Sequence, residues 1–260
     1  MQLHILASGS TGNAVLIEMG GRKILIDAGI SARRIERGLS EVGIQTDKLD
    51  GVLITHEHSD HIKGIEVLVR KHHVPVYARP ATWGAMRGRD RIPREYRRDL
   101  GDSLDIGAIK IVPFAISHDA VDPVGFCFYF QQQKWVLATD LGVVTPNVED
   151  ALAYADVAIL ESNHDVEMLQ AGPYPQFLKQ RIKSKLGHLS NHDAGQILAR
   201  TPRQRVMQVF LAHLSQQNNL PPLAERTVRE VLQEFGCAVG EEIILHRTYP
   251  DRTISLGAAK

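Results

Sequence analysis

Thr55-His56-Glu57-His58-Ser59-Asp60-His61 is an H-x-H-x-D-H string that follows directly on the short apolar run Val52–Ile54. On extended backbone, residues two apart point the same way, so His56 and His58 can hold one ion together. Asp60 and His61 fall where the chain turns into a helix predicted over Ile62–Lys71, and can face a second ion beside the first. Three imidazoles and a carboxylate within six positions supply nitrogen and oxygen donors suited to Zn, Mn, Fe or Ni. The alternative is a chance cluster of surface histidines. The position at a strand end, where sites are usually built, argues against it.

Two ions need more donors than this string contains, and other predicted strand ends offer them. Ile109–Phe114 leads to Ser117-His118-Asp119, Trp135–Ala138 to Thr139-Asp140, and Val206–Leu211 to Ala212-His213. A single His at a strand end is more often structural than a ligand. Repetition at three strand ends behind an H-x-H-x-D-H string reverses that expectation. Asp140 has two carboxylate oxygens, which suits it to bridge a pair of ions.

Outward from these motifs, Leu3–Leu6, Ala14–Met19, Lys23–Ile26, Val74–Tyr77, Gly125–Phe130, Val157–Leu160 and Ile243–Leu245 also read as strands. Gly20-Gly21 marks a hairpin turn. Helical periodicity covers Ser31–Val42, Ala194–Arg200 and Ala224–Phe235. The pattern is α/β without strict βαβ alternation. No repeat or linker-like tract divides the 260 residues, so a single domain over 1–260 is expected. Thirty Lys+Arg balance thirty Asp+Glu, which excludes a coat on nucleic acid held by bulk charge. No apolar run approaches the roughly 18 residues of a membrane span, and no membrane partner is expected. Two distant cysteines, Cys127 and Cys237, and the absence of a signal-peptide pattern give a cytoplasmic expectation. The composition leaves the oligomeric state open.

The ligand order resembles that of the metallo-β-lactamase fold superfamily, over nearly the whole chain. The resemblance implies a four-layer αββα sandwich with a dinuclear site. It implies His56, His58 and His118 at one metal, Asp60, His61 and His213 at the other, and Asp140 between them. Ala7-Ser8-Gly9-Ser10-Thr11-Gly12-Asn13, Glu161-Ser162-Asn163, Gly187-His188-Leu189-Ser190-Asn191 and His213-Leu214-Ser215-Gln216-Gln217-Asn218-Asn219 are similar to motifs of the YycJ/WalJ group. That narrower likeness implies a bacterial 5′→3′ exonuclease linked to DNA repair, with a DNA 5′ end as partner.

The residues suit phosphodiester hydrolysis. Two metals about 3.5–4 Å apart can share a bridging water and lower its pKa to give hydroxide near neutrality, while neutralising phosphate charge. Two Asp against two divalent ions leave a loaded site of about +2, matched to a phosphate anion. Asp60 is placed to orient or deprotonate the water. His188, outside the seven ligands, is either a group that binds phosphate or protonates the leaving oxygen, or a structural turn residue. Ser190, Asn191, Asn218 and Asn219 are candidate phosphate donors. Asn163 and His164 are candidates to support the ligands from behind.

Gly9-Ser10-Thr11-Gly12 is followed by a strand, so it lacks the helix N-terminus of a dinucleotide site. A tight turn and a substrate-facing loop both remain open for it. Arg87, Arg89, Arg91, Arg94, Arg97 and Arg98 lie within twelve positions. They form either a DNA-backbone contact, with Arg94, Arg97 and Arg98 the candidates, or a solvated face. Lys179, Arg181, Lys183 and Lys185 make a weaker run. His4, His72, His73, His192 and His246 are expected to be structural or at the surface.

Related chemistries share the ligand set: cyclic phosphodiesterases, and glyoxalase II-like thioesterases or lactonases acting on small molecules. A flavodiiron-like centre normally carries a carboxylate where His58 stands. A metal-stabilised DNA-binding module without catalysis would be expected to lack some of the seven ligands.

Overall fold

In the computed structural model, which describes Met1–Gly257, β1 (Gln2–Ala7), β2 (Ala14–Met19) and β3 (Arg22–Ile26) pair antiparallel in chain order. Gly20 and Gly21, at φ 55° and 75°, close the β2–β3 hairpin in the left-handed region that its tight turn demands. β4 (Gly51–Leu53), β5 (Val76–Ala78) and β6 (Arg97–Asp99) then add in parallel. The last strand, β14 (Ile254–Gly257), pairs antiparallel with β1 and completes the order β14-β1-β2-β3-β4-β5-β6. Parallel neighbours need crossovers. Here these carry α1 (Ala32–Glu41), α2 (Ser59–Ile62), α3 (Ile65–His72) and α4 (Pro80–Ala85).

Ser31 caps α1, its hydroxyl accepting from the Arg34 amide, and Ile35 and Leu39 turn inward. They join Leu16, Leu25, Val52, Leu68 and Val69 in one core, and these seven side chains are fully buried. Each such side chain contributes about 1.5–3 kcal/mol. The helix predicted over Ile62–Lys71 starts later, at Ile65. Gly64 is its N-cap, a position that takes only glycine because a Cβ there would lie 2.2 Å from the Ile30 carbonyl oxygen.

The second sheet holds β7 (Leu104–Ile106), β8 (Ile109–Ala115), β9 (Val124–Phe130), β10 (Gln133–Ala138), β11 (Val157–Glu161), β12 (Met207–Ala212) and β13 (Ile243–Arg247), in reverse chain order. β9 and β10 are antiparallel, whereas β10 to β13 are parallel. Every residue of β11 is buried, which is why Val157–Leu160 is a continuous apolar run. The connections carry α5 (Pro146–Leu152), α6 (Val166–Ala171), α7 (Gln176–Ile182), α8 (Asn191–Arg200) and α9 (Pro221–Glu234).

By internal contacts the chain divides into two units. Unit 1 is Met1–Val112, Ala120–Pro123 and Tyr249 onward; unit 2 is Pro113–Asp119 and Val124–Thr248. Among the described residues no helix is long and apolar enough to cross a membrane.

Candidate metal-binding residues

In unit 1 the H-x-H-x-D-H string leaves β4 as a tight loop and enters α2. The His56 ring centroid lies 4.6 Å from that of His58 and 4.1 Å from that of His61. Asp60 Oδ2 is 3.5 Å from His61 Nε2. These four sequence-predicted ligands are therefore brought together. Two neighbouring loops clasp them by backbone: Asn13 N donates to Asp60 O at 2.9 Å, and Ala28 N to His61 O at 2.7 Å. Gly29 sits so close that a Cβ would fall 1.6 Å from Asp60 O.

Gly9–Asn13 is a turn, with Gly12 N donating to Gly9 O at 3.0 Å. Its Asn13 has a further task. Its carboxamide oxygen accepts from Gly9 N, and its Nδ2 lies 3.3 Å from His61 Nε2, beside the nitrogen that would face a metal.

Asp27 is a residue that the sequence reading missed. It is buried just past β3 at φ 59°, and its Oδ2 lies 2.7 Å from His61 Nδ1 and 2.9 Å from the Thr55 hydroxyl. Thr55 donates to Asp27, so its oxygen accepts from His56 Nδ1 at 3.0 Å. The signal was present: an acid directly behind the predicted strand Lys23–Ile26.

In unit 2, Asp140, Glu161, His188 and His213 each offer a ligand atom within 4.8 Å of the others. Asp140 Oδ1 stands 3.3 Å from His213 Nδ1 and 3.7 Å from His118 Nε2. Asp140 and His213 sit at φ 61° and 55°. Left-handed backbone at non-glycine residues costs energy and concentrates at functional positions. Here, as at Asp27, it re-aims a side chain at a strand end.

Glu161 opens the Glu161-Ser162-Asn163 motif. It is fully buried at the end of β11 and accepts from His188 Nδ1 at 2.8 Å, His213 Nδ1 at 2.9 Å, Leu141 N at 2.6 Å and Leu189 N at 3.1 Å. Burial alone would raise its pKa. The charge on His188 and the hydrogen bonds from His188 and His213 outweigh that and hold the carboxyl well below the usual carboxylate range. Burial is also the main cause that lowers the His118 pKa, which favours the neutral, metal-competent ring.

One regularity joins both sets. Nδ1 of His56, His61, His118 and His213 each faces a protein oxygen, from Thr55, Asp27, Gly187 and Glu161 respectively. An Nδ1–H held in this way fixes the tautomer and puts the lone pair on Nε2, the arrangement of a metal-ligating imidazole. The donor chemistry therefore fits divalent metal.

The candidate phosphate donors lie elsewhere. Ser190 is buried as the N-cap of α8, in a reciprocal capping box with Asp193. Asn191 Nδ2 donates to Asn219 Oδ1 at 3.0 Å, and its own Oδ1 accepts from the Ser162 hydroxyl at 2.6 Å. Asn219 Nδ2 donates to the Ser162 and Asn163 carbonyls, and Asn163 Nδ2 to the His213 carbonyl. Asn218 is fully buried, its amide donating to the Ser215 hydroxyl. These groups lock the three later motifs to one another, and their side-chain donors are engaged within the fold.

The Arg-rich stretch forms two 3-10 turns, Arg89–Arg91 and Arg94–Tyr96, ahead of β6. Arg97 donates through Nε to Ile92 O at 2.8 Å and is committed to the fold, whereas Arg94 and Arg98 are exposed. In the weaker basic run, Arg181 pairs with Asp119 at 2.7 Å. His4 and His72 bond Ser255 and Glu36, which are structural contacts.

A family model described as "Beta-lactamase superfamily domain" matches residues 22–214. Exodeoxyribonuclease YycJ of Bacillus anthracis is 40% identical over 255 residues, covering 96% of this chain and 97% of the relative. Exodeoxyribonuclease WalJ of Streptococcus pneumoniae is 40% identical over 257 residues, covering 97% and 96%. The crystal structure of Zn(2+)-bound PqqB from Methylobacterium extorquens has a TM-score of 0.72 at 16% identity, covering 99% of this chain and 100% of that one. The likeness in structure shows the metallo-β-lactamase fold, the α/β class expected from the sequence.

Proposed function

Because this chain belongs to the β-lactamase superfamily, and within it to the family of the YycJ and WalJ exodeoxyribonucleases, we propose that it is a metal-dependent exodeoxyribonuclease that degrades DNA in the 5′→3′ direction. Near-full-length identity of 40% to two named exodeoxyribonucleases carries this reading. The family model spans segments of both units, which supports a single hydrolase domain over 1–260.

The proposed holders of two divalent ions are His56, His58 and His118 for one, Asp60, His61 and His213 for the other, and Asp140 for both. When bound, the ions supply neutralisation of phosphate charge and activation of a water, the two needs of phosphodiester hydrolysis. The chain's own groups do the rest. Asp27, Thr55, Gly187 and Glu161 hold four rings in the tautomer that exposes Nε2. Asp60, half-buried beside His61, is proposed to orient the attacking water and take its proton.

His188 shares Glu161 with His213 but is ten times as exposed, at 20% against 2% of the side chain. With Nδ1 committed to Glu161, its Nε2 is the atom proposed to meet a phosphate oxygen or protonate the leaving oxygen. Its conformation is thus both a structural hydrogen bond and a catalytic presentation.

The test is a substrate panel with Mn- or Zn-loaded protein and end-labelled DNA. Loss of nucleotides progressively from the 5′ end is expected. Intact DNA alongside cleavage of a thioester or a small phosphodiester would overturn the reading.

A further inference from the structure

Behind His58 lies a cavity of about 560 Å³, wholly within unit 1, between the 57–66 segment and the 85–92 segment. The function proposed above leaves it unassigned. Its size falls within the range of about 300–1,000 Å³ typical of ligand pockets. One part of the wall is aliphatic: Ile62, Ile65 and Ile92. The other part carries three cations, Lys63, Arg87 and Arg91.

Three cations against the two acids Glu57 and Glu66 leave this wall with a net charge of +1. Glu57 Oε1 accepts from Val121 N at 2.9 Å, and Glu66 Oε2 lies 3.3 Å from Arg91 Nη1. Lys63 and Arg87 make no ion pair among the described residues. The Arg87–Arg91 segment is also built rather than loose. Ile92 is buried in the unit 1 core, its carbonyl accepts from Arg97 Nε, and Arg89 Nη1 donates to the Trp83 carbonyl.

We propose that this cavity is the subsite for one terminal nucleotide of the DNA strand, with its base against the three isoleucines and its 5′-phosphate on Lys63, Arg87 and Arg91. The inference rests on the exodeoxyribonuclease reading and deepens it. A planar base is apolar on its faces, and aliphatic walls accept any base without reading its edge. Arginine forks suit phosphate oxygens. His58, shared between the cavity wall and the proposed ligands, puts the nucleotide beside the metal-binding residues. A pocket with room for one nucleotide, and cations to hold a terminal phosphate, selects chain ends over chain interiors. It therefore supplies a physical reason for exonucleolytic action.

The experiment compares the wild-type full chain with Arg87→Ala/Arg91→Ala, and takes Arg226→Ala on α9 as a control for charge loss. The first readout is calorimetric binding of 2′-deoxyadenosine 5′-monophosphate and of unphosphorylated 2′-deoxyadenosine to metal-free protein. The second is degradation of 5′-phosphorylated against 5′-hydroxyl single-stranded DNA by metal-loaded protein.

The wild type and Arg226→Ala are expected to prefer the phosphorylated member of each pair. The double variant is expected to lose roughly tenfold or more in monophosphate affinity. Its preference for 5′-phosphorylated DNA should disappear through KM, and Arg87→Lys/Arg91→Lys should restore part of both. A double variant that melts like the wild type and keeps full monophosphate affinity and phosphate preference overturns the subsite. Wild-type protein that leaves DNA intact but binds the monophosphate through Arg87 and Arg91 overturns the exonuclease reading instead, and absence of both overturns the two together.

Discussion

His188 Nδ1 lies 2.8 Å from Glu161 Oε1, the same oxygen that receives His213 Nδ1 at 2.9 Å. One buried carboxylate therefore fixes both a proposed ligand and a proposed catalytic group. Glu161→Gln keeps the shape but removes the charge that holds two imidazoles in one tautomer. Metal affinity should fall about 10- to 100-fold, read by metal titration. Glu161→Ala should in addition cost on the order of 3–5 kcal/mol in urea unfolding, because two His donors and two amides lose their acceptor. The Glu161 carboxyl is held low, so its contribution to stability is present above its ordinary pKa of 4.5 and is lost as the pH falls further. Unchanged metal affinity in Glu161→Gln would remove Glu161 from the metal-binding apparatus.

Asp140 is the proposed ligand common to both ions. Asp140→Ala should abolish DNA hydrolysis and lower the metal content of purified protein. Chelation should lower the melting temperature of the wild type, since an ion that binds only the folded chain stabilises it by mass action. The same treatment should shift Asp140→Ala much less. Full turnover by metal-free Asp140→Ala would defeat the metal-dependent mechanism.

Gly29 tests the clasp around the H-x-H-x-D-H loop. A Cβ at 1.6 Å from Asp60 O meets rigid backbone, and no rotamer relieves it. Gly29→Ala should destabilise the fold by at least the 1–3 kcal/mol usual for overpacking, and weaken metal binding as Asp60 and His61 shift. Gly21→Ala is the comparison: nothing among the described residues lies within 4 Å of its Cβ, and the φ of 75° is the unfavourable feature. That variant should lose roughly 1–2 kcal/mol and keep its metal. Calorimetry with metal titration separates the two.

The contrast between Asp60 and Asp27 shows how far the sequence could be read. Asp60 sits inside a spaced string whose geometry follows from strand and helix periodicity, so the clustering of His56, His58, Asp60 and His61 and the α/β class were legible. Asp27 and Glu161 act through partners 34, 27 and 52 residues away, at His61, His188 and His213. No local period encodes such pairs; only a buried acid at the end of an apolar run hints at them. Asn191 and Asn219 show the complementary case. Polar residues in a loop-like motif suggest exposure, yet a second motif 28 residues on satisfies them in the interior. β6, β7 and β14 are three or four residues long, too short for period-two alternation to declare itself.

His164, which is not a proposed ligand, gives a pH test. It is 3% exposed, its Nδ1 has no hydrogen-bond partner among the described residues, and burial lowers its pKa from 6.5 to about 4. The unfolded chain thus binds a proton that the folded chain refuses. Stability is full above pH 6.5 and declines as pH falls toward 4, by on the order of 3 kcal/mol at most from this residue. His118, also lowered by burial, adds to the same slope, so the informative quantity is a difference between proteins. His164→Leu should unfold with a shallower dependence on pH between 7 and 4.5 than the wild type. Equal slopes would show that His164 is protonated in the fold.

Arg97 and Arg94 should separate stability from DNA contact. The Arg97 side chain is 18% exposed, bonds the Ile92 carbonyl at 2.8 Å and lies 3.9 Å from Asp90. Its removal strands a buried-loop carbonyl, so Arg97→Ala should cost about 1–2 kcal/mol. Arg94 is exposed on its 3-10 turn, and Arg94→Ala should leave stability within about 0.5 kcal/mol. If Arg94 touches a phosphate, the slope of log binding constant against log salt should fall by about 0.7 for single-stranded DNA. Arg97→Ala, corrected for its unfolded fraction, should leave that slope unchanged. A lowered slope in Arg97→Ala with unaltered melting would reverse the assignment, placing Arg97 on the DNA and the Ile92 hydrogen bond among contacts that the fold can lose.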